Sequence, residues 1–315
     1  MANSRKTGTY LKIIVLILFL IFSIFLEIFT GPAGFLSNTL ILKLRVLRLI
    51  LGIFCGISLS LSGAVLQGIL RNPLCDPYIL GVAGSACLGA IFGKLFLNFY
   101  QPFSLLFAVI SIFIIYRLGS IRGVALPHTL ILSGVIVSTF VSSLTMILMV
   151  LHGESLSQII YFLMGRLSVI PDKLFYISLT FSYFFLLICI FLFIKYSQAL
   201  NLLSLGEYEA LSCGVDVNKL RFKIFILSGV LTALTVMLCG AIGFVGLCVP
   251  HLARLCIGAD YKKVLKSVLL IGPSLLLISD TLSRIWTIEF PISVVTSLFG
   301  VPFFIYLLRK NKKFD

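Results

Sequence analysis

Residues 45–81 read RVLRLILGIFCGISLSLSGAVLQGILRNPLCDPYILG. An apolar run over 46–70 is followed by a sharp polar break, and this alternation decides the fold. A helix needs roughly 20 predominantly apolar residues to cross the hydrocarbon of a bilayer, and the run has that length. After Arg71 comes Asn72-Pro73-Leu74-Cys75-Asp76-Pro77. Two prolines cannot donate backbone hydrogen bonds and bias their predecessors away from helix, so the chain must turn here. Either a tight structured reversal or a seat for a partner protein accounts for the break.

The same alternation extends in both directions. Apolar runs predict spans near 13–30, 46–70, 78–98, 103–117, 126–151, 174–195, 222–241, 244–257, 264–286 and 292–308. The fold class is therefore all-α, a polytopic membrane protein with about ten helices and a single transmembrane domain over 1–315. Hydrophobic residues are 60% of the chain and charged residues 11%, too little charge to cover a water-soluble globule of this length. The N-terminal run from Ile13 to Phe29, behind Arg5, Lys6 and Lys12, is too long for a signal peptide's apolar core and reads as a retained first helix.

A formal charge of +14 suggests nucleic acid only if the cations share one face, and here they are strung between apolar runs, so none is expected as a partner. With both termini cytoplasmic, 17 of the 25 cations fall in inner segments, 7 in outer ones, and Arg254 within a span; this asymmetry sets the orientation. The eight cysteines form no C-x-x-C pair and read as small buried residues. Gly52 with Gly56, and the stretch Gly81, Gly84, Ser85, Ala86, Gly89, Ala90, Gly93, offer surfaces for close helix packing, within the chain or across a dimer.

Polar groups inside the spans are the candidates for function. Ser138, Ser142 and Thr145 share one helical face of the fifth span and suggest either an uncharged passage wall or hydroxyls bonded to their own helix. His251 has only Cys248 nearby, a weak metal set, and reads as structural. Arg45, Arg48 and Arg284 lie at the predicted outer ends and could steer an external partner, although Asp280, one turn before Arg284, could neutralise it. The longest polar interruption, 197–223, exceeds a simple reversal, and Gly206 and Gly214 can punctuate a pair of short helices.

Three blocks together carry a family resemblance. SGAVLQGILRNPLCDPYILG at 62–81, GAIGFVGLCVPHLARLCIGAD at 240–260 and LNLLSLGEYEALSCGV at 200–215 resemble the FecCD-like permeases, and the stretch from Ser279 to Lys310 is similar to that family's C-terminus. Gln67, Asn72, Pro73, Pro77, Gly81, Gly246, Pro250, His251 and Arg254 are the motif positions. Departures are Val46-Leu47 where Leu-Pro is usual, Phe162 for a common Trp, and Arg166 for a small residue.

The resemblance implies the architecture of a type II ABC importer permease for iron siderophores, haem or cobalamin. It implies a homodimer or heterodimer with a related permease, two ATPase subunits, and an extracytoplasmic substrate-binding protein. Leu205, Gly206, Glu207, Ala210 and Gly214 become the ATPase-coupling residues, and Arg45 and Arg284 the pair that meets acidic residues of the binding protein. No cofactor is expected in this chain. No phosphate loop is present, GAIFGKL at 89–95 having the wrong spacing, so ATP belongs to the partner ATPase. An ion-gradient-driven carrier would need ionisable residues near mid-membrane, whereas the acids here are few and most lie near predicted span ends. An intramembrane enzyme lacks any paired His and carboxylate.

Overall fold

The computed structural model describes residues 2–31, 39–78, 81–97, 99–151, 163–285 and 289–311. Helices run α1 (Ala2–Phe29), α2 (Thr39–Ile69), α3 (Val82–Phe96), α4 (Tyr100–Leu118), α5 (Pro127–Leu151), α6 (Lys173–Lys195), α7 (Ser197–Leu205), α8 (Glu207–Ser212), α9 (Val217–Cys239), α10 (Val245–Ile257), α11 (Tyr261–Ser283) and α12 (Ile292–Asn311). A two-residue hairpin, β1 (Ser120–Ile121) with β2 (Val124–Ala125), precedes α5. Among the described residues seven helices are long and apolar enough to span a bilayer, and α3, α10 and the Ile292–Tyr306 part of α12 are shorter apolar helices. Together they match the ten predicted segments.

Packing explains why α2 is central. Its lower two thirds carry glycine and serine, and α9, α10 and α11 all lie on it. A Cβ on Gly56 would sit 2.5 Å from the Pro273 Cα, and one on Gly63 would overlap the carbonyl of Gly246. Only hydrogen fits between those backbones, which is how helices approach where lipid gives no hydrophobic drive. The small-residue surfaces of α2 and α3 are thus used inside the chain, Gly89 and Gly93 meeting Phe103 of α4.

Helix bounds differ from the predicted spans at several places. The second span begins at Thr39, not 46, because Val46-Leu47 brings no proline and the helix runs on through both arginines. The third begins only at Val82, after Gly81 in the left-handed region at φ 78°. The predicted span at 244–257 is a 13-residue helix, about 20 Å long and too short to cross alone; residues 240–244 continue it as irregular chain.

Two ends of the bundle can be told apart. The ionic end gathers the C-terminus of α1, the N-terminal half of α2 and the C-terminus of α11. The hairpin end gathers the C-terminus of α2, the β-hairpin, α7 and α8, and the starts of α9 and α11.

Candidate functional site

Four polar constructions stand out from the apolar bundle. The first is the α7–α8 segment, which forms the expected pair of short helices with Gly206 between them. Leu205 and Tyr208 are exposed, Ala210 is buried, and Gly214 closes α8 at φ 80°. Asn201 ties α7 to α11: its Nδ2 donates to Asp260 Oδ1 at 2.9 Å and its Oδ1 accepts from the Tyr261 N–H at 2.8 Å. Glu207 reaches inward to Arg221, 2.5 Å away.

The second is the broken backbone between α9 and α10. Unpaired peptide groups at membrane depth need protein partners, and this segment has them. Ser293 Oγ donates to the Ala241 carbonyl at 2.7 Å, and Thr296 Oγ1 to that of Gly243 at 3.0 Å. Gln67 Nε2 donates at 3.3 Å to both Gly246 and Cys75 carbonyls, while its Oε1 accepts from Arg254. The motif residues of α2 and α10, far apart in sequence, therefore meet at one node. Pro250 is buried in α10, and His251 packs edge-on to Phe304, its buried Nδ1 without a hydrogen-bond partner among the described residues. Among the described residues no group of three His, Cys, Asp or Glu could hold a metal, and the Cys248 Sγ lies against the Gly300 carbonyl instead.

The loop after α2 locks onto the same node. Asn72 Oδ1 accepts from the Leu74 N–H at 2.9 Å, and Pro73 is exposed. Asp76 Oδ1 accepts from the Tyr78 N–H at 3.0 Å, and Pro77 packs on Gly246. Burial pushes the Asp76 carboxyl up to about 6, against the opposing pull of backbone N–H groups of Tyr78 and Phe244. This loop is a structured reversal.

Third is the ionic end. Arg48 forks onto Asp280 at 3.1 and 2.8 Å and reaches Glu289 at 2.6 Å. Arg284 pairs with Glu27 at 2.6 Å, donates to its backbone carbonyl, and stands 3.6 Å from Asp280. Arg45 Nη1 donates to the Ile28 carbonyl at 2.7 Å. The expectation of exposed steering cations needs correction here. Arg45 and Arg284 are only 4% and 6% exposed, because Glu27, whose part in this cluster the sequence reading missed, draws α1 over them.

Fourth is α5. Its expected stripe is split: Ser142 is exposed and Ser138 half-buried, but Thr145 is buried and bonded to the Val141 carbonyl. The face with Ser138 turns toward α3, where Gly81 and Gly84 meet Ser138 and Val141. The exposed hydroxyls are instead Thr139, Ser142 and Ser143, an uncharged strip. Phe162 lies outside the described residues; Arg166 is exposed, its N–H bonded to the Cys239 carbonyl.

Residues 9–310 match the FecCD transport family. A cobalamin import permease of Halobacterium salinarum is 35% identical over 289 residues, 88% of this chain and 75% of its own length. An Fe(3+)-citrate import permease of Bacillus subtilis is 31% identical, covering 99% of this chain and 98% of itself. A solved metal-chelate type ABC transporter in an inward-facing conformation superposes with a TM-score of 0.85 at 32% identity, covering 95% of this chain and 98% of that one.

Proposed function

Because the chain belongs to the FecCD transport family, we infer that it is the conduit through which an ATP-driven importer moves an iron chelate, a siderophore by default, from a binding protein into the cytoplasm. The chain is a multi-pass permease subunit rather than an enzyme, and ATP hydrolysis falls to a separate subunit. Relatives are named for cobalamin, Fe(3+)-citrate, iron chelatin, hemin and molybdate, which bounds the cargo class.

The observation that favours a chelate is the exposed strip of α5, hydroxyls without charge. A bare cation needs several oxygen or nitrogen ligands, whereas a chelate already supplies them and passes a weakly interacting wall. In this reading the chain is one transmembrane domain in a bacterial cytoplasmic membrane. Its partner is an identical or related permease, and the ionic end faces outward. Both chain ends and the 197–223 coupling segment then face the ATPases, which bind the ATP. Leu205, Gly206, Glu207, Ala210 and Gly214 seat that segment. Arg45, Arg48 and Arg284 receive the binding protein, whose carboxylates compete with the chain's own.

Reconstitution with the ATPase and binding protein in proteoliposomes tests this reading. ATP-dependent uptake of a ferric siderophore in preference to haem, cobalamin or molybdate is expected. Uptake that survives ATP removal but collapses with the proton gradient would sink the importer reading, and preferential uptake of haem, cobalamin or molybdate would sink the siderophore assignment.

A further inference from the structure

Arg221, in the first turns of α9, has a side chain 1% exposed. Its Nε donates to the Ile69 carbonyl at 3.2 Å, its Nη1 to the Ala125 carbonyl at 2.6 Å and its Nη2 to Glu207 Oε1 at 2.5 Å. These acceptors belong to three separate elements: the last residue of α2, strand β2, and the first residue of α8. Ile69 ends its helix, so its carbonyl has no partner one turn ahead. A buried guanidinium is costly to desolvate and is tolerated only when its donors are met. Its planar fork fixes the directions of those partners, which a flexible ammonium would not.

Glu207 is the one acceptor that reaches water, its side chain 35% exposed. Ala125 stands two residues before Pro127, where α5 begins. A displacement of α8 that left Ile69 and Ala125 behind would strand a buried donor or carbonyl away from water, which is costly. Moving all three together strands none.

We propose that Arg221 is a positioning residue that makes α8, the end of α2 and the start of α5 move as one body, so that force on the α7–α8 segment reaches the hydroxyl strip of α5. The proposal rests on the reading of α7–α8 as the ATPase-facing segment, and its test keeps the two separable. The complete transporter is placed in nanodiscs, with Cys213 and Cys256 replaced by serine and a spin label on Ser142→Cys. ATP with vanadate then traps the closed ATPase without needing the cargo. The unmodified chain is expected to change the label's solvent accessibility on trapping. Arg221→Gln is expected to lose at least two thirds of that change while basal hydrolysis stays within twofold.

An undiminished change in Arg221→Gln overturns the proposal. A merely structural Arg221 would lower the melting temperature yet leave the change intact in the complexes that assemble. If Arg221→Gln fails to assemble, Glu207→Ala removes the acceptor on α8 and leaves both carbonyl bonds; a halved change supports the proposal and a full one overturns it. Tyr208→Cys, at an exposed position of α8, reports on the underlying reading through cross-linking to the ATPase. No cross-link in the assembled complex refutes the ATPase-facing segment. A cross-link together with an undiminished change in Arg221→Gln refutes only the role of Arg221.

Discussion

The two ends of the bundle hold their buried charge in opposite ways. At the ionic end, charge meets charge: Arg48 and Arg284 are neutralised by Glu27, Asp280 and Glu289, carried on α1, α11 and the approach to α12. At the hairpin end, charge mostly meets backbone and amide. Arg221 is met by two carbonyls besides Glu207, Arg254 by Gln67, and Asp76 by N–H groups. Carboxylate partners can be exchanged for other carboxylates because Coulomb attraction is only weakly directional. Backbone partners cannot be exchanged without moving the chain. An end suited to swapping partners and an end suited to transmitting displacement fit the two faces of the importer proposed above.

Removing one ion should expose this difference most sharply. Arg284→Ala leaves the Glu27 and Asp280 carboxylates buried without it, and breaking such a pair costs about 3–5 kcal/mol. The double substitution Arg284→Met with Glu27→Gln should recover more than half of that loss in detergent melts, since charge and counter-charge leave together. No recovery would mean that Arg284 acts through shape and not charge. At the other end, Gln67→Leu strips Arg254 of its amide oxygen and leaves the Gly246 and Cys75 carbonyls without their donor. A loss of about 2–3 kcal/mol is expected, and Arg254→Met added to it should recover little, because the carbonyls stay unmet.

How far sequence alone reaches follows the same division. Ten apolar segments were legible because lipid as solvent forces each to show its length. The paired short helices at 197–212 were legible from Gly206 and the polar run. Arg221 was visible only as one more inner cation, since its backbone acceptors lie 152 and 96 residues away. Glu27 sat in plain view as an acid inside an apolar run, a signal of an interior partner, yet that partner, Arg284, is at the far end of the chain. The hairpin at 120–125 was missed because Arg122-Gly123 is a weak turn pair; only the positive φ of both residues reveals it. Thr145 was misplaced because period gives a face but not which neighbour covers it.

A smaller effect probes the junction of α7 and α11. Asn201→Ala removes the bonds to Asp260 and to the Tyr261 N–H, and about 1–2 kcal/mol should be lost. Uptake per ATP hydrolysed should fall by less than in Glu207→Ala, because Arg221 still joins α8 to the bundle. A larger fall would move the main link from Arg221 to Asn201.

The smallest expected effect tests whether an anion held by N–H groups behaves unlike one held by arginine. Asp76 has its carboxyl raised to about 6 by burial, above the ordinary value near 4 of the unfolded chain. Between those values the folded protein binds the proton and the unfolded chain does not, so stability rises as pH falls through 6 and the gain ends near 4. From pH 7.5 to 5.5 the gain from this group is about 1 kcal/mol. Asp76→Asn, which keeps the shape and stays neutral, should melt no lower than the unmodified chain at pH 7.5 and lose this increment between the two pH values. If the unmodified chain and Asp76→Asn show the same change in melting temperature with pH, Asp76 is not the group that titrates, and its N–H partners hold it charged as firmly as an arginine would.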